Sequence, residues 1–380
     1  MPELISPEAG MERAAHDIAA LAARHAGRAE EEWQLSPDVV RAVTAAGFAR
    51  HFVAAEHGGT AGTFAEFAAA VAVIGAGCPA TAWCASLAAS MARMAGYLPE
   101  EGRKRVWQDG PDVLIVGGVS PVGRAHAHQD GWLLTGTWQY ISAAAHSDWA
   151  LVCGVAGAGA QGEPRLFALP RADYRLERTW SDVGMRATGS DTLIAEDVFV
   201  PAALSFPLSS LLEGAAGPAA PGCHHVPLTA VNGLFFALPI LGAAEGALGL
   251  WSSYAAQKIR SWSPRQPGPS RGFYEETLAR TSGTIDAARS LLERAARVAD
   301  LGARATPLER ARNQRDSALA ADMLVSAVNQ LFRASGTAGH SVHHPLQRLW
   351  RDANSAAGHV VLQPGPAAAS YAVSALGLDG

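Results

Sequence analysis

Apolar residues recur at helical spacing from Met11 to Arg28, and Ser36-Pro37-Asp38 announces a second helix, with Ser36 as cap, Pro37 in the first turn and Leu35 stapling the entry. Phe52 to Gly62 holds too much glycine for a helix and reads as a loop, after which Phe64 to Gly75 and Pro79 to Tyr97 form two strongly apolar helices. The period then changes. Val113 to Val119, Gly131 to Trp138, Trp149 to Gly154, Arg165 to Leu169 and Thr192 to Val200 alternate or run apolar between Gly, Pro and Asp breaks, as strands do. Pro201 ends this stretch, and Gly214 to Pro227 is a Gly/Pro-rich loop of the kind that covers a site or joins domains. Helical periodicity returns over Phe235 to Lys258, Tyr274 to Leu301 and Pro307 to Ser335, with a shorter helix near the C-terminus. In the second of these, Leu291, Ala295 and Val298 form an apolar stripe, with Arg289, Glu293, Arg294 and Arg297 on the other surface.

The pattern predicts an α+β chain in three units: a helical domain at 1–111, a β domain at 112–208, and a helical bundle with its preceding loop at 209–380. With 380 residues, 49% of them hydrophobic and 17% charged, the chain can bury a large core. A formal charge of −5 gives no basic face, which argues against nucleic acid as a partner. Gly233 to Leu250 is interrupted by Pro239 and Glu245 and reads as a buried helix, not a membrane span. Residues 1–30 carry Glu3, Glu8, Glu12 and Asp17 and no signal-peptide centre, so a cytoplasmic protein is expected. Cys78, Cys84, Cys153 and Cys223 lie far from any metal-ligand spacing, which favours free thiols and no metal site. Gly117-Gly118 follows a strand but lacks the rest of a dinucleotide fingerprint, so a nicotinamide site is not supported.

Several motifs bear a resemblance. The run Gly336-Thr337-Ala338-Gly339-His340, followed by His344-Pro345-Leu346-Gln347-Arg348-Leu349-Trp350-Arg351-Asp352, looks like the glycine turn and Arg-Asp-ending helix of the acyl-CoA dehydrogenase superfamily. Gly184 to Ser190 and Glu196 to Pro201 resemble the segments that close its β domain. Gly136-Thr137-Trp138 through Ser142, His146 and Trp149 is similar to the G-x-W-x-x-x-S-G-x-x-H-x-x-W pattern of reduced-flavin hydroxylases such as the oxygenase component of p-hydroxyphenylacetate hydroxylase. Ser120 to Ala125 matches their P-x-G-x-A loop. The resemblance spans essentially the whole chain. It implies an N-terminal helical domain, a barrel-like middle β domain and a C-terminal four-helix bundle, assembled as a homotetramer.

The same alignment puts the dehydrogenase's catalytic Glu near position 360, where this chain has Gly358-His359-Val360-Val361. The resemblance therefore implies the oxygenase of a two-component monooxygenase. It would use FADH2 or FMNH2 from a separate flavin reductase, with O2 as co-substrate, to hydroxylate an aromatic or polycyclic small molecule, such as a biosynthetic intermediate, through a C4a-hydroperoxyflavin. Alternatives are N-oxygenation of the nitrososynthase kind, an acyl-CoA dehydrogenase with a relocated base, and a catalytically silent family member. Two departures stand out: Ala143 replaces a customary Gly, and Ser90-Met91 lies where aromatic hydroxylases of this branch commonly carry a His.

Residue roles follow from the resemblance. His359 is the candidate proton donor, since imidazole exchanges protons near neutral pH; its alternative is a buried helix-end residue. Ser142 would meet the reactive flavin edge or, as a turn serine, its own backbone. Trp138 packs along the isoalloxazine or fills the core. Ser120, Gly123, Thr188 and Ser190 offer backbone and hydroxyl donors to the flavin, and Arg351 is grouped with them. Arg260 meets the flavin phosphate from a neighbouring subunit or remains a solvated helix-end charge. Trp83, Met91 and Phe235 are the expected substrate-pocket residues, and His146 is expected to orient its turn.

Overall fold

The computed structural model describes residues 7–157, 162–263 and 268–378. Helices α1 (Pro7–Glu32), α2 (Pro37–Ala45), α3 (Phe64–Gly77), α4 (Pro79–Ala95) and α5 (Glu100–Val106) precede the sheet. Ser36 caps α2 as the sequence predicts, its hydroxyl accepting from Val39 N, and Thr63 with Glu66 closes a capping box on α3.

Seven strands follow: β1 (Ile115–His128), β2 (Gly131–Ile141), β3 (Trp149–Ala156), β4 (Glu163–Pro170), β5 (Arg175–Glu177), β6 (Asp191–Pro201) and β7 (Ser205–Pro207). They form one mixed sheet in the order β5-β6-β2-β1-β3-β4-β7, in which β1 and β3 run parallel and every other neighbouring pair antiparallel. Ser120 to Ala125, expected as a loop, lies instead within the long strand β1. The register on β3 jumps between Gly118 and Gly123, and pairing with β2 begins only at Arg124, so Val119 to Val122 have no strand partner. Pro121 is tolerated there because no ladder bond requires its missing N–H.

After the short α6 (Leu208–Glu213) come α7 (Leu228–Arg260), α8 (Arg271–Ala299), α9 (Pro307–Ala334), α10 (Gly336–Gly339), α11 (Pro345–Ala357) and α12 (Pro364–Leu376). The single short C-terminal helix expected is thus two, α11 and α12, separated by a corner at Gly358-His359. The α8 stripe is also shifted from expectation: Ile285, Ala288, Leu292, Ala295, Ala296 and Ala299 are buried, whereas Leu291 and Val298 are only partly so. Arg294 is not a solvated charge, because its guanidinium is bonded to the fully buried carboxylate of Asp316.

Helix α7 is apolar and long enough to cross a membrane, but 72% of its most apolar window is buried within the protein. It serves as the central core helix. Gly242 and Gly246 let it approach α3 so closely that a Cβ at either would sit 2.3 Å from the carbonyl oxygen of Ala72 or Ala76. One apolar core joins α1, α3 and the first half of α4 to α7, α8, α9 and α11, and a second lies against the sheet. Helix α4 belongs to both: Trp83, Cys84 and Ala89 enter the first, Met91, Met94 and Ala95 the second. That junction holds the candidate site.

Candidate active site

The turn between β2 and β3 carries Ser142, Ala143 and His146, and the segment before β6 carries Thr188 and Ser190. The two are joined by Ala143 N donating to Thr188 O at 2.7 Å. Ala143 adopts φ +58°, a left-handed conformation that an L side chain tolerates at some cost, which accounts for glycine being customary there. Ser142 Oγ lies 2.8 Å from Ser190 Oγ, which lies 2.7 Å from Thr188 Oγ1, whose hydroxyl donates to Met185 O at 2.8 Å. From α4, Trp83 Nε1 donates to Ser142 Oγ at 3.1 Å. All three hydroxyls are buried, and all are satisfied within this chain of bonds.

His359 approaches from the α11–α12 corner. Its ring stacks on Phe236 at 3.8 Å and 16°, and meets Trp83 edge-on at 5.7 Å. Val361 N donates to Nδ1 at 3.3 Å, which leaves Nε2 as the nitrogen that bears hydrogen in the neutral ring. Burial pushes the imidazole down to about 4, so it is neutral at physiological pH. His359, Trp83 and Ser142 therefore form one contact path from the C-terminal helices to the sheet.

Beside this path lies a narrow cavity of about 40 Å³, walled by Leu35, Val40, Val43, Thr44, Cys84, Leu87, Ala88, Met91, Leu114, Ile115, Val116, Gly117, Ser142, Ala143 and His146. None of these residues is a carboxylate. All four cysteines are buried, unpaired thiols.

The expected site residues thus divide. His359, Ser142, Ser190, Thr188 and Trp83 come together, and Met91 lines the adjoining cavity. Phe235 does not face it: fully buried, it packs in an aromatic cluster with Phe52, Phe64 and Phe67, and its neighbour Phe236 meets His359. Trp138 occupies the core, with Nε1 donating to Cys153 O at 2.8 Å and its ring lying across Gly123 and Gly136. Gly123 is accordingly buried beneath that indole, whereas Ser120 is exposed on the unpaired stretch of β1. Arg260 ends α7 in an exposed position, away from these residues in the single chain. Arg351 is engaged structurally, bonded to Glu30, Gln347 and the Val183 carbonyl. Phe236 and Tyr140 were not singled out by the sequence. Tyr140 stands two residues before Ser142 with φ +65°, 69% exposed, beside Trp180.

These features suit a flavin on one observable ground. Val119 to Val122 leave backbone polar groups without strand partners, and Ser142, Ser190 and Thr188 add a run of buried hydroxyls, the two kinds of donor and acceptor that the polar rim of a planar heterocycle requires.

Residues 234–364 match the family model for the acyl-CoA dehydrogenase C-terminal domain. The chain is 30% identical over 346 residues to the oxygenase component of an FADH2-dependent resorcinol hydroxylase from Rhizobium sp. (strain MTP-10005), covering 85% of this chain and 83% of that protein. It is 29% identical over 360 residues to the flavin-dependent monooxygenase oxygenase subunit HsaA of Rhodococcus jostii (strain RHA1), covering 92% and 94%. The structure of XiaF from Streptomyces sp. in complex with FADH2 and glycerol superposes with a TM-score of 0.89 at 29% identity, over 98% of this chain and 96% of that one. With the α+β architecture and the carboxylate-free cavity already described, these matches make the chain a member of the oxygenase components of two-component flavin-dependent monooxygenases, built on the acyl-CoA dehydrogenase fold.

Proposed function

We propose that this protein hydroxylates a flat, largely apolar aromatic compound, using O2 and reduced flavin delivered by a separate reductase, in the cytoplasm and as a homotetramer. The observation that carries this reading is the contact path His359–Trp83–Ser142 beside a cavity without a carboxylate. A dehydrogenase needs a base to remove an α-proton, and an imidazole whose proton affinity burial pushes down to about 4 is too weak a base to replace it well.

Reduced flavin, when bound, supplies the electrons that activate O2. Ser142, Ser190 and Thr188 present hydroxyls to its polar edge, and the backbone of Val119 to Val122 adds donors and acceptors. Tyr140 offers an exposed aromatic face. Leu35, Val40, Val43, Leu87 and Met91 keep water away from the reacting centre. His359 holds a proton on Nε2, and its stacking on Phe236 keeps that nitrogen in place.

The test is to mix the purified protein with FADH2 or FMNH2 and O2 in the presence of a panel of phenols, and to measure oxygenated product against hydrogen peroxide. Coupled product formation supports the reading. Reduction of an electron-accepting dye by an acyl-CoA, with no oxygenated product, would overturn it.

A further inference from the structure

Helix α7 carries a proline in its interior, Pro239, which has no amide hydrogen to give to the carbonyl four residues back, at Phe235. That carbonyl lies inside the protein, where an unpaired acceptor costs about as much as a lost hydrogen bond. It is not left unpaired. Ser86, fully buried on α4, donates its hydroxyl to Phe235 O at 2.6 Å, across 149 residues of sequence.

Both ends of this bond adjoin the contact path to the sheet. Ser86 is three residues along α4 from Trp83, a spacing that puts the two on one helix face. Phe236 follows Phe235 on α7, meets Trp83 at 5.0 Å and stacks on His359 at 3.8 Å. Helix α4 therefore grips α7 in adjoining turns, by ring contact at Trp83 and by the hydroxyl at Ser86. The entry to α7 is held separately: Arg93, two turns further along α4 and fully buried, donates Nε to Cys223 O at 2.7 Å and Nη2 to Val226 O, just before Leu228. With the entry anchored, the turn at Phe235 is where α7 can bend, because a helix that lacks one of its ladder bonds yields there unless another group takes the carbonyl. The Val361 amide holds only one edge of the His359 ring, so Phe236 is the surface that sets the plane of that ring.

We propose that Ser86 is a positioning residue for His359: by holding the carbonyl that Pro239 frees, its hydroxyl sets the turn of α7 that presses Phe236 on the imidazole. The effect passes from hydroxyl to backbone to ring. Without the bond, the imidazole can turn out of its stack while every helix stays formed. The inference rests on the reading of His359 as the proton-holding group of the oxygenase, and deepens it by naming what keeps Nε2 in place.

Diethyl pyrocarbonate acylates neutral imidazole, and His359 is neutral near physiological pH because burial pushes it down to about 4, so its rate of modification reads how well the stack shields it. The experiment follows each histidine by peptide mass spectrometry in the full-length protein without flavin. Ser86→Ala removes the donor and little volume. It should raise the rate at His359 several-fold and leave that of the exposed His340 unchanged. Pro239→Ala restores an amide that can take Phe235 O within the helix. In that background Ser86→Ala should alter the His359 rate by no more than about twofold, the scatter of independent changes. An unchanged His359 rate in Ser86→Ala, an equal rise at His340, or a full effect that persists beside Pro239→Ala would overturn the assignment. Product per reduced flavin, measured with FADH2, O2 and the panel of phenols, should fall in Ser86→Ala. A raised His359 rate with unaltered product per flavin would uphold the positioning and instead sink the proton-holding role of His359.

Discussion

The Trp83 indole N–H donates to Ser142 Oγ at 3.1 Å, a bond that spans 59 residues of sequence and ties the helix before the sheet to the turn inside it. Its acceptor is also bonded to Ser190, so one indole fixes the first of three hydroxyls in series. Trp83→Phe keeps an aromatic ring against Phe236 but removes the donor. The expected cost is about 1 kcal/mol of stability from the lost bond, seen as a lower urea midpoint. Product per reduced flavin should fall with it, because the Ser142 hydroxyl is free to turn. An unchanged ratio of product to peroxide would reduce Trp83 to a packing residue.

His359 is held by Phe236, Trp83 and the Val361 amide, none of which is part of the sheet. His359→Ala should leave the flavin dissociation constant within about twofold of wild type, since a lost contact worth a few tenths of a kcal/mol has that effect. It should lower product per flavin and raise peroxide release. Full coupling in this variant would remove His359 from the proton inventory.

Trp138 and Tyr140 lie two residues apart on β2 and face opposite tests. Trp138→Phe leaves Cys153 O without its donor and opens space over Gly123 and Gly136, so it should cost about 2–3 kcal/mol and leave flavin affinity unchanged. Tyr140→Ala removes an exposed ring and should barely move the urea midpoint while weakening flavin binding several-fold. The reverse pattern would return Trp138 to the flavin face.

Much of the fold was legible because each element announces its period or its cap. Ser36, the glycine-rich loop before Phe64 and the strand alternation after Val113 each correspond to the observed local structure. Residue-level facing was not legible where an element is buried all round. Helix α7 is apolar on every side, so periodicity cannot choose between Phe235 and Phe236, and only the packing of α3 and the α11–α12 corner does so. Trp138 is a similar case, since Gly136 on its own strand and Gly123 on β1 together make room for its ring. Pro121 reads as a strand breaker yet sits inside β1, where the ladder is interrupted. His146 Nε2 is buried without a hydrogen-bond partner, a property of what surrounds it that no spacing rule reveals.

Buried groups give the protein opposing responses to acid. Burial pushes His224 down to about 3 and His359 to about 4, so the folded chain keeps both neutral while the unfolded chain takes up protons below its ordinary value near 6.5. Stability from these two is complete above that value and is lost as pH falls from it through about 4 for His359 and about 3 for His224. Asp352 acts in the other direction. Its carboxyl accepts from Met185 N at 2.6 Å, and full burial pushes it up to about 6, so the folded state binds a proton that the unfolded state does not bind until near 3.8. That linkage adds stability as pH falls from 7 to 4, by about 3 kcal/mol at most. Asp352→Asn keeps an acceptor for Met185 N but cannot titrate. Relative to wild type, the variant should therefore lose stability as the solution is acidified, with the difference in unfolding free energy shifting by about 2–3 kcal/mol between pH 7 and pH 4. Urea titrations of both proteins across that range measure it, and parallel curves would mean that Asp352 is ionised throughout in the folded protein.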